Sequence, residues 1–137
     1  MKVEFPEILR REALTASEQA ALLEIAYLAA ASSGDLSDSE CVAFVRLAEG
    51  ERDPSVKAAK TAVDTSPSAL FRRFDAYDRE IARAGRAVRL GALGQAATRD
   101  VVRTAFYDAA EWVTWADGNQ CDAEREFLAE LRAALAV

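Results

Sequence analysis

Three oxygen-bearing side chains stand close together near the C-terminal end: Asp117, Asn119 and Glu124, within ADGNQCDAE (116–124). Carboxylate and amide oxygens of this kind hold hard cations such as calcium or magnesium. The order opens like an EF-hand loop, but that loop places its bidentate glutamate at the twelfth position, whereas Glu124 is eighth counting from Asp117. An EF-hand is excluded, and a cation here would draw its remaining ligands from elsewhere in the chain or from water. A similar turn occurs earlier, as ASSGDLSDSE (31–40), where Ser33 occupies the place of Asp117. The second turn is therefore the better candidate for a divalent cation.

Both turns also have a structural explanation that accounts for most of their residues. Gly34 and Gly118 fit the left-handed position that closes a helix. Ser37 with Glu40 is a capping-box pair that opens the next helix. Asp38 and Asp122 then fall in a first helical turn, where negative charge meets the positive end of the helix dipole and no ligand is needed.

Glu24 and Asp108 pose a different question. Each is embedded in an apolar run, AALLEIAYLAAA (20–31) and TAFYDAAEWVTWA (104–116), where an unpaired buried carboxylate is costly. Each is expected to pair with an arginine of the basic middle of the chain, because arginines are plentiful there; the alternative is that the two meet and share a proton or cation. Asp117 lies nine residues beyond Asp108, about 13 Å along a helix, so those two cannot chelate one ion locally. Arg72, Arg79, Arg83 and Arg86 would line one helical face if the helix ran on past Gly85, a surface for an acidic partner or lipid headgroups. The plainer expectation is a solvated face tied down by Asp75 to Arg79 and Glu80 to Arg83.

Other chemistries lack their residues. With no histidine, neither a Ser/His/Asp nor a Cys/His arrangement can form, and the Glu-x-x-His motif of di-iron bundles is missing. Gly85, Gly91 and Gly94 follow no strand, so they read as helix ends or close contacts rather than a phosphate loop. The chain is not expected to be an enzyme. Trp112 and Trp115, opposite Leu28 and Ala31 of the earlier run, are expected to fill the core.

The elements that must position these residues are all helical. Alanine, leucine, glutamate and arginine recur at helical spacing without alternating strand patterns. Thr15 with Glu18, Ser37 with Glu40, Asp53 before Pro54 and Ser66 before Pro67 mark four helix starts. A short helix near 5–13, one or two across 86–116 and a last one from about 122 to 135 complete the set. Asp108 follows Glu24, and Gly118 follows Gly34, by the same interval of 84 residues, so the repeat covers a helix, its acidic turn and the next helix. Two helical hairpins about a pseudo-twofold axis, as repeat units of about 16–49 and 99–135 within a single domain over 1–137, are expected from this.

This pattern resembles the TerB-like family of tellurite-resistance and stress-response systems. Its signature is an apolar helix ending in Ala-Asp-Gly, then a hydrophobic residue, Ser/Thr and a glutamate. ADGNQCDAE is the closer match, and the likeness covers roughly 20–49 and 104–135. The sequence departs at Ser33, where aspartate is usual, and at Gln120 and Cys121, where an apolar residue and Ser/Thr are usual. The resemblance implies an all-α cytoplasmic bundle of about seven helices. It also implies membrane-associated stress complexes, a divalent cation as the suspected ligand, and no established catalytic activity.

The totals agree with that expectation. A chain of 137 residues, 51% hydrophobic, can bury a core without disulfides, and Cys41 and Cys121 lack the spacing of a redox or metal pair. Residues 1–66 carry −5, 67–103 carry +4 and 104–137 carry −5, a net charge of −6 that argues against nucleic acid as partner. No signal-peptide core follows the start, and the plain expectation is a soluble cytoplasmic protein. The leading functional expectation is a non-enzymatic helical scaffold with a protein partner, in a stress-response or peripheral membrane-associated assembly and aided by a cation. The alternative is a metal-ion sensor whose primary task is cation binding at the acidic turns.

Overall fold

The helix starts marked by hydroxyl residues form as their chemistry dictates. Glu18 N donates to Thr15 Oγ1 at 3.1 Å while Thr15 N donates to Glu18 Oε1 at 2.9 Å. Ser37 and Glu40 repeat the same reciprocal pair at 3.1 and 2.9 Å. Ser66 accepts from Ala69 N, with Pro67 in the first turn, where its missing N–H costs nothing. The computed structural model describes residues 4–50 and 63–137. The start expected at Asp53 and Pro54 lies outside them.

The described residues fold into seven helices and no strand: α1 (Ile8–Arg11), α2 (Ala16–Ala31), α3 (Asp38–Glu49), α4 (Pro67–Ala84), α5 (Arg86–Ala96), α6 (Asp100–Thr114) and α7 (Asp122–Leu135). None of these helices is long and apolar enough to cross a membrane. In α2 every residue from Ala21 to Ala30 is buried, as its apolar circumference requires. Its most extensive neighbour is α6, whose Ala105, Phe106, Ala109, Ala110 and Val113 are buried in the same core. Small residues on both sides bring the two backbones close. Around this pair, α3 packs on α2 and α6, α7 packs on α6 and α5, and α5 also reaches α2. Trp112 is buried and meets Phe5 edge-on at 5.1 Å, which ties the N-terminal segment to α6.

The arginine face behind Gly85 is interrupted. Gly85 takes φ 88°, ends α4 and starts α5 at Arg86, so Arg86 does not extend the α4 stripe. It leaves that stripe to pair with Glu130 of α7 and to lie over the Phe127 ring. Further along α5, Gly94 faces α7 so closely that an added Cβ would stand 2.8 Å from the Ala134 carbonyl oxygen, whereas one on Gly91 would meet nothing within 4 Å.

These two glycines give a matched test of that crossing. Gly91→Ala is expected to gain about 0.5–1 kcal/mol, because alanine favours the helix and nothing obstructs it. Gly94→Ala must move backbone against backbone and is expected to lose about 1–3 kcal/mol. Urea unfolding of the two variants measures both, and a stabilised Gly94→Ala would mean that the α5–α7 contact is looser than described.

Candidate functional site

Each acidic turn is a glycine stop followed by an acidic restart. Gly34, at φ 101°, donates its N–H to Ala31 O at 3.0 Å, and Gly118, at φ 88°, donates to Trp115 O at 2.9 Å. In the second turn Asn119 N donates to Asp117 Oδ1 at 3.0 Å, and Gln120 Nε2 donates to the buried Thr114 hydroxyl at 2.9 Å. Cys121 N then donates to Glu124 Oε1 at 2.9 Å, as Ser37 N does to Glu40 Oε1. A thiol replaces the serine hydroxyl at this cap and is the weaker acceptor.

The three residues expected to ligate a cation serve different ends. Asp117 and Asn119 are exposed and close the turn on themselves, while Glu124 points inward and is buried. Among the described residues no group of three or more His, Cys, Asp or Glu side chains is arranged to hold a metal ion. The spacing that brings Asp117 and Asn119 near one another in sequence spends the Asp117 oxygen on a local backbone N–H.

The turns do bring together a pair that spacing alone did not single out. Glu40 and Glu124, the third residues of α3 and α7, are 2% and 3% exposed. Neither forms an ion pair among the described residues, and Glu124 Oε2 is buried with no hydrogen-bond partner. Burial pushes the Glu40 carboxyl above its usual range. Hydrogen bonding with Ser37 pulls it back, and the facing charges of Glu124 and Asp117 push it up again. The capping role of Glu40 was legible from Ser37-x-x-Glu40; that the charges of Glu124 and Asp117 reach it was not.

The other acidic candidates separate. Glu24 is held by Arg89 of α5 through two bonds, Nε to Oε2 at 2.8 Å and Nη2 to Oε1 at 2.7 Å, the planar fork that suits a carboxylate. Arg89 also lies 3.8 Å from Glu80, which links α2, α4 and α5. Asp108, expected to be buried, is instead exposed on α6 and does not meet Glu24. Its carboxyl is pushed up by desolvation alone, with no charged partner among the described residues. An apolar run marks a helix as largely buried without saying which of its positions faces out. Arg79 and Arg83 stay on α4, bonded to Asp75 at 2.9 Å and to Glu80 respectively.

Two further anchors escaped the sequence because their partners are distant along the chain. Arg99 reaches across to Glu18 at 3.0 Å and Glu12 at 3.2 Å. Burial raises the Glu18 carboxyl, but bonds from Thr15 and Arg99 outweigh it and hold the group below its usual value. Tyr27 of α2 donates to Asp78 of α4 at 2.6 Å, while burial and that carboxylate push its phenol well above the ordinary range. Phe74 stacks on Tyr27 at 4.8 Å and meets Phe44 of α3 edge-on at 5.0 Å, so α4 is fastened along one side only.

Comparison of the chain with protein-family models, with the curated proteins and with the solved structures finds no match in any of the three.

Removing Arg89 strands the Glu24 carboxylate inside the helix cluster. Arg89→Ala is expected to cost about 3 kcal/mol in urea unfolding, whereas replacing both partners with apolar residues, Glu24→Leu with Arg89→Met, is expected to recover most of it. Equal losses in the single and double variants would show that packing, rather than the stranded charge, sets the cost.

Proposed function

We propose that the chain is a TerB-like helical binding module, a non-enzymatic scaffold that docks a protein partner through the outer face of α4 in a stress-response or peripheral membrane-associated assembly. The observation that carries this reading is the composition of α4. Its eighteen residues bury only Tyr77, and Phe71 stands 74% exposed beside the outward-facing Arg72, Arg79 and Arg83. At about 100° per residue Arg72, Arg79 and Arg83 share one side of the helix, opposite Phe74 and Tyr77, and Phe71 stands at the edge of that side. An exposed aromatic on a helix that also turns arginines outward suits an interface that uses a large ring for affinity and cations for orientation. The chemistry that complements it is an acidic surface with an apolar centre.

Three shared features support the family likeness. The units α2–turn–α3 and α6–turn–α7 share the glycine stop, the buried glutamate at the third helical residue and the interval of 84 residues, consistent with hairpins paired about a pseudo-twofold axis. The competing reading, a cation sensor at Asp117, Asn119 and Glu124, draws on the free Oε2 of Glu124.

Two measurements separate the readings. With the module as bait, the double charge reversal Arg79→Glu with Arg83→Glu is expected to lower partner recovery at least tenfold at unchanged helicity, and unchanged recovery would remove α4 as the docking face. Calorimetric titration of chelator-treated protein with calcium, magnesium, manganese and zinc addresses the sensor. Heat that disappears in Glu124→Ala and Asp117→Ala would establish it, and silence in the unaltered chain would remove it.

A further inference from the structure

The core holds very little of α4. Ten successive residues of α2 are buried, and α6 and α7 bury eight and five, but α4 buries Tyr77 alone among its eighteen. Its inward contact is a narrow seam of Leu70, Phe74, Tyr77 and Ile81, at steps of four, three and four, and all of these but Tyr77 are partly buried.

The helix is also complete in itself. It has its own cap at Ser66, its own first-turn proline and its own stop, where Gly85 N donates to Ile81 O at 2.8 Å. The pairs Asp75–Arg79 and Glu80–Arg83, and the bond from Arg73 to the Tyr77 hydroxyl at 3.3 Å, lie within it and travel with it. The contacts that cross to the rest of the fold are of a different kind. They include the Tyr27 hydroxyl on Asp78, the rings of Phe74 and Tyr77 against Tyr27 and Phe44, and the 3.8 Å approach of Glu80 to Arg89. An exposed bond joins Thr65, just ahead of the helix, to Glu49.

Breaking these contacts strands no charge in the core. Arg89 keeps its hold on Glu24, because it binds that carboxylate through Nε and Nη2 and approaches Glu80 with Nη1. The Asp78 carboxylate and the Tyr27 hydroxyl both meet water once the helix moves away, so each exchanges one partner for another. Gly85 supplies a pivot. Its N–H closes α4, its carbonyl accepts from Arg89 N of α5 at 3.1 Å, and around its positive φ a Cβ would meet nothing within 4 Å.

We propose that α4 is a cover that lifts as one unit about Gly85 and uncovers Tyr27 and Phe44, while α2, α3, α5, α6 and α7 stay folded. Partial opening of this kind draws on segments with few buried apolar contacts, and α4 is such a segment. Tyr27 and Phe44 are 7% and 1% exposed with the helix seated, so lifting it turns a hidden aromatic face of the core outward. The device belongs to the free chain and does not rest on docking at the outer face of α4.

Native-state hydrogen exchange of the whole chain, with no partner present and in urea below the unfolding transition, tests it. The hydrogen-bonded amides of α4, from Leu70 to Gly85, are expected to share one protection level about a hundredfold below that of α2 and α6. They are also expected to share one urea slope, smaller than that of global unfolding. Amides around Leu90 and Leu93 of α5 stay with the slower class, which puts the boundary at Gly85. Val102→Ala opens space in the core on α6 and destabilises the seated and lifted forms alike. It is expected to speed exchange in α2 and α6 about tenfold and to leave α4 unchanged. Equal protection in α4 and α2, graded exchange along α4 with no shared slope, an α5 that opens with α4, or a Val102→Ala that speeds α4 as much as α2 would each overturn the proposal. The first three are read on the unaltered chain, whatever the stability of the variant.

Discussion

A helix buried on every side leaves no room for an unmet polar group, and α2 is such a helix from Ala21 to Ala30. Everything else in the fold answers to it. The small faces of α2 and α6 let their axes approach, and α3, α5 and α7 close the remaining sides. Burial at this density favours alanine over larger side chains, because close helix packing gains dispersion contacts that a bulkier residue would wedge apart. Glu24, the one ionisable carboxylate in that stretch, is tolerated only because Arg89 reaches it from α5 with both prongs of its fork.

The buried acids thus form two classes. Glu18 and Glu24 fasten elements far apart in sequence, through Arg99 and Arg89, and act as cross-braces whose loss leaves a charge uncompensated. Glu40 and Glu124 are local devices, each closing its own helix start. The two turns are chemically uneven. The first cap is a hydroxyl and the second a thiol, and the first turn has Ser33 where the second has Asp117.

Legibility followed range along the chain. Capping pairs three residues apart, the proline after Ser66, and the ion pairs Asp75–Arg79 and Glu80–Arg83 were visible because their geometry is set by one helix. The central position of α2 was visible because no side of it is polar. Gly85 was less transparent: a glycine inside a helical pattern can be tolerated or can end it, and here positive φ ends it, sending Arg86 to Glu130. Asp108 was misplaced because it stands in an apolar run, although the helix turns that position outward. An arginine partner for Glu24 was expected from the basic middle of the chain, but which arginine reaches it, and that Arg99 reaches Glu18, depend on how helices cross, and residue spacing carries no information about crossing.

The one-sided attachment of α4 separates two kinds of selection. Its inner residues, Phe74, Tyr77 and Asp78, are tied to Tyr27 and Phe44, and so inherit the intolerance of the core. Its outward positions Phe71, Arg72, Arg79 and Arg83 are exposed and can change in size or charge at little cost to folding. A lineage carrying this fold can therefore vary a few outward residues of α4 in size and charge, while the α2–α6 interior stays as it is.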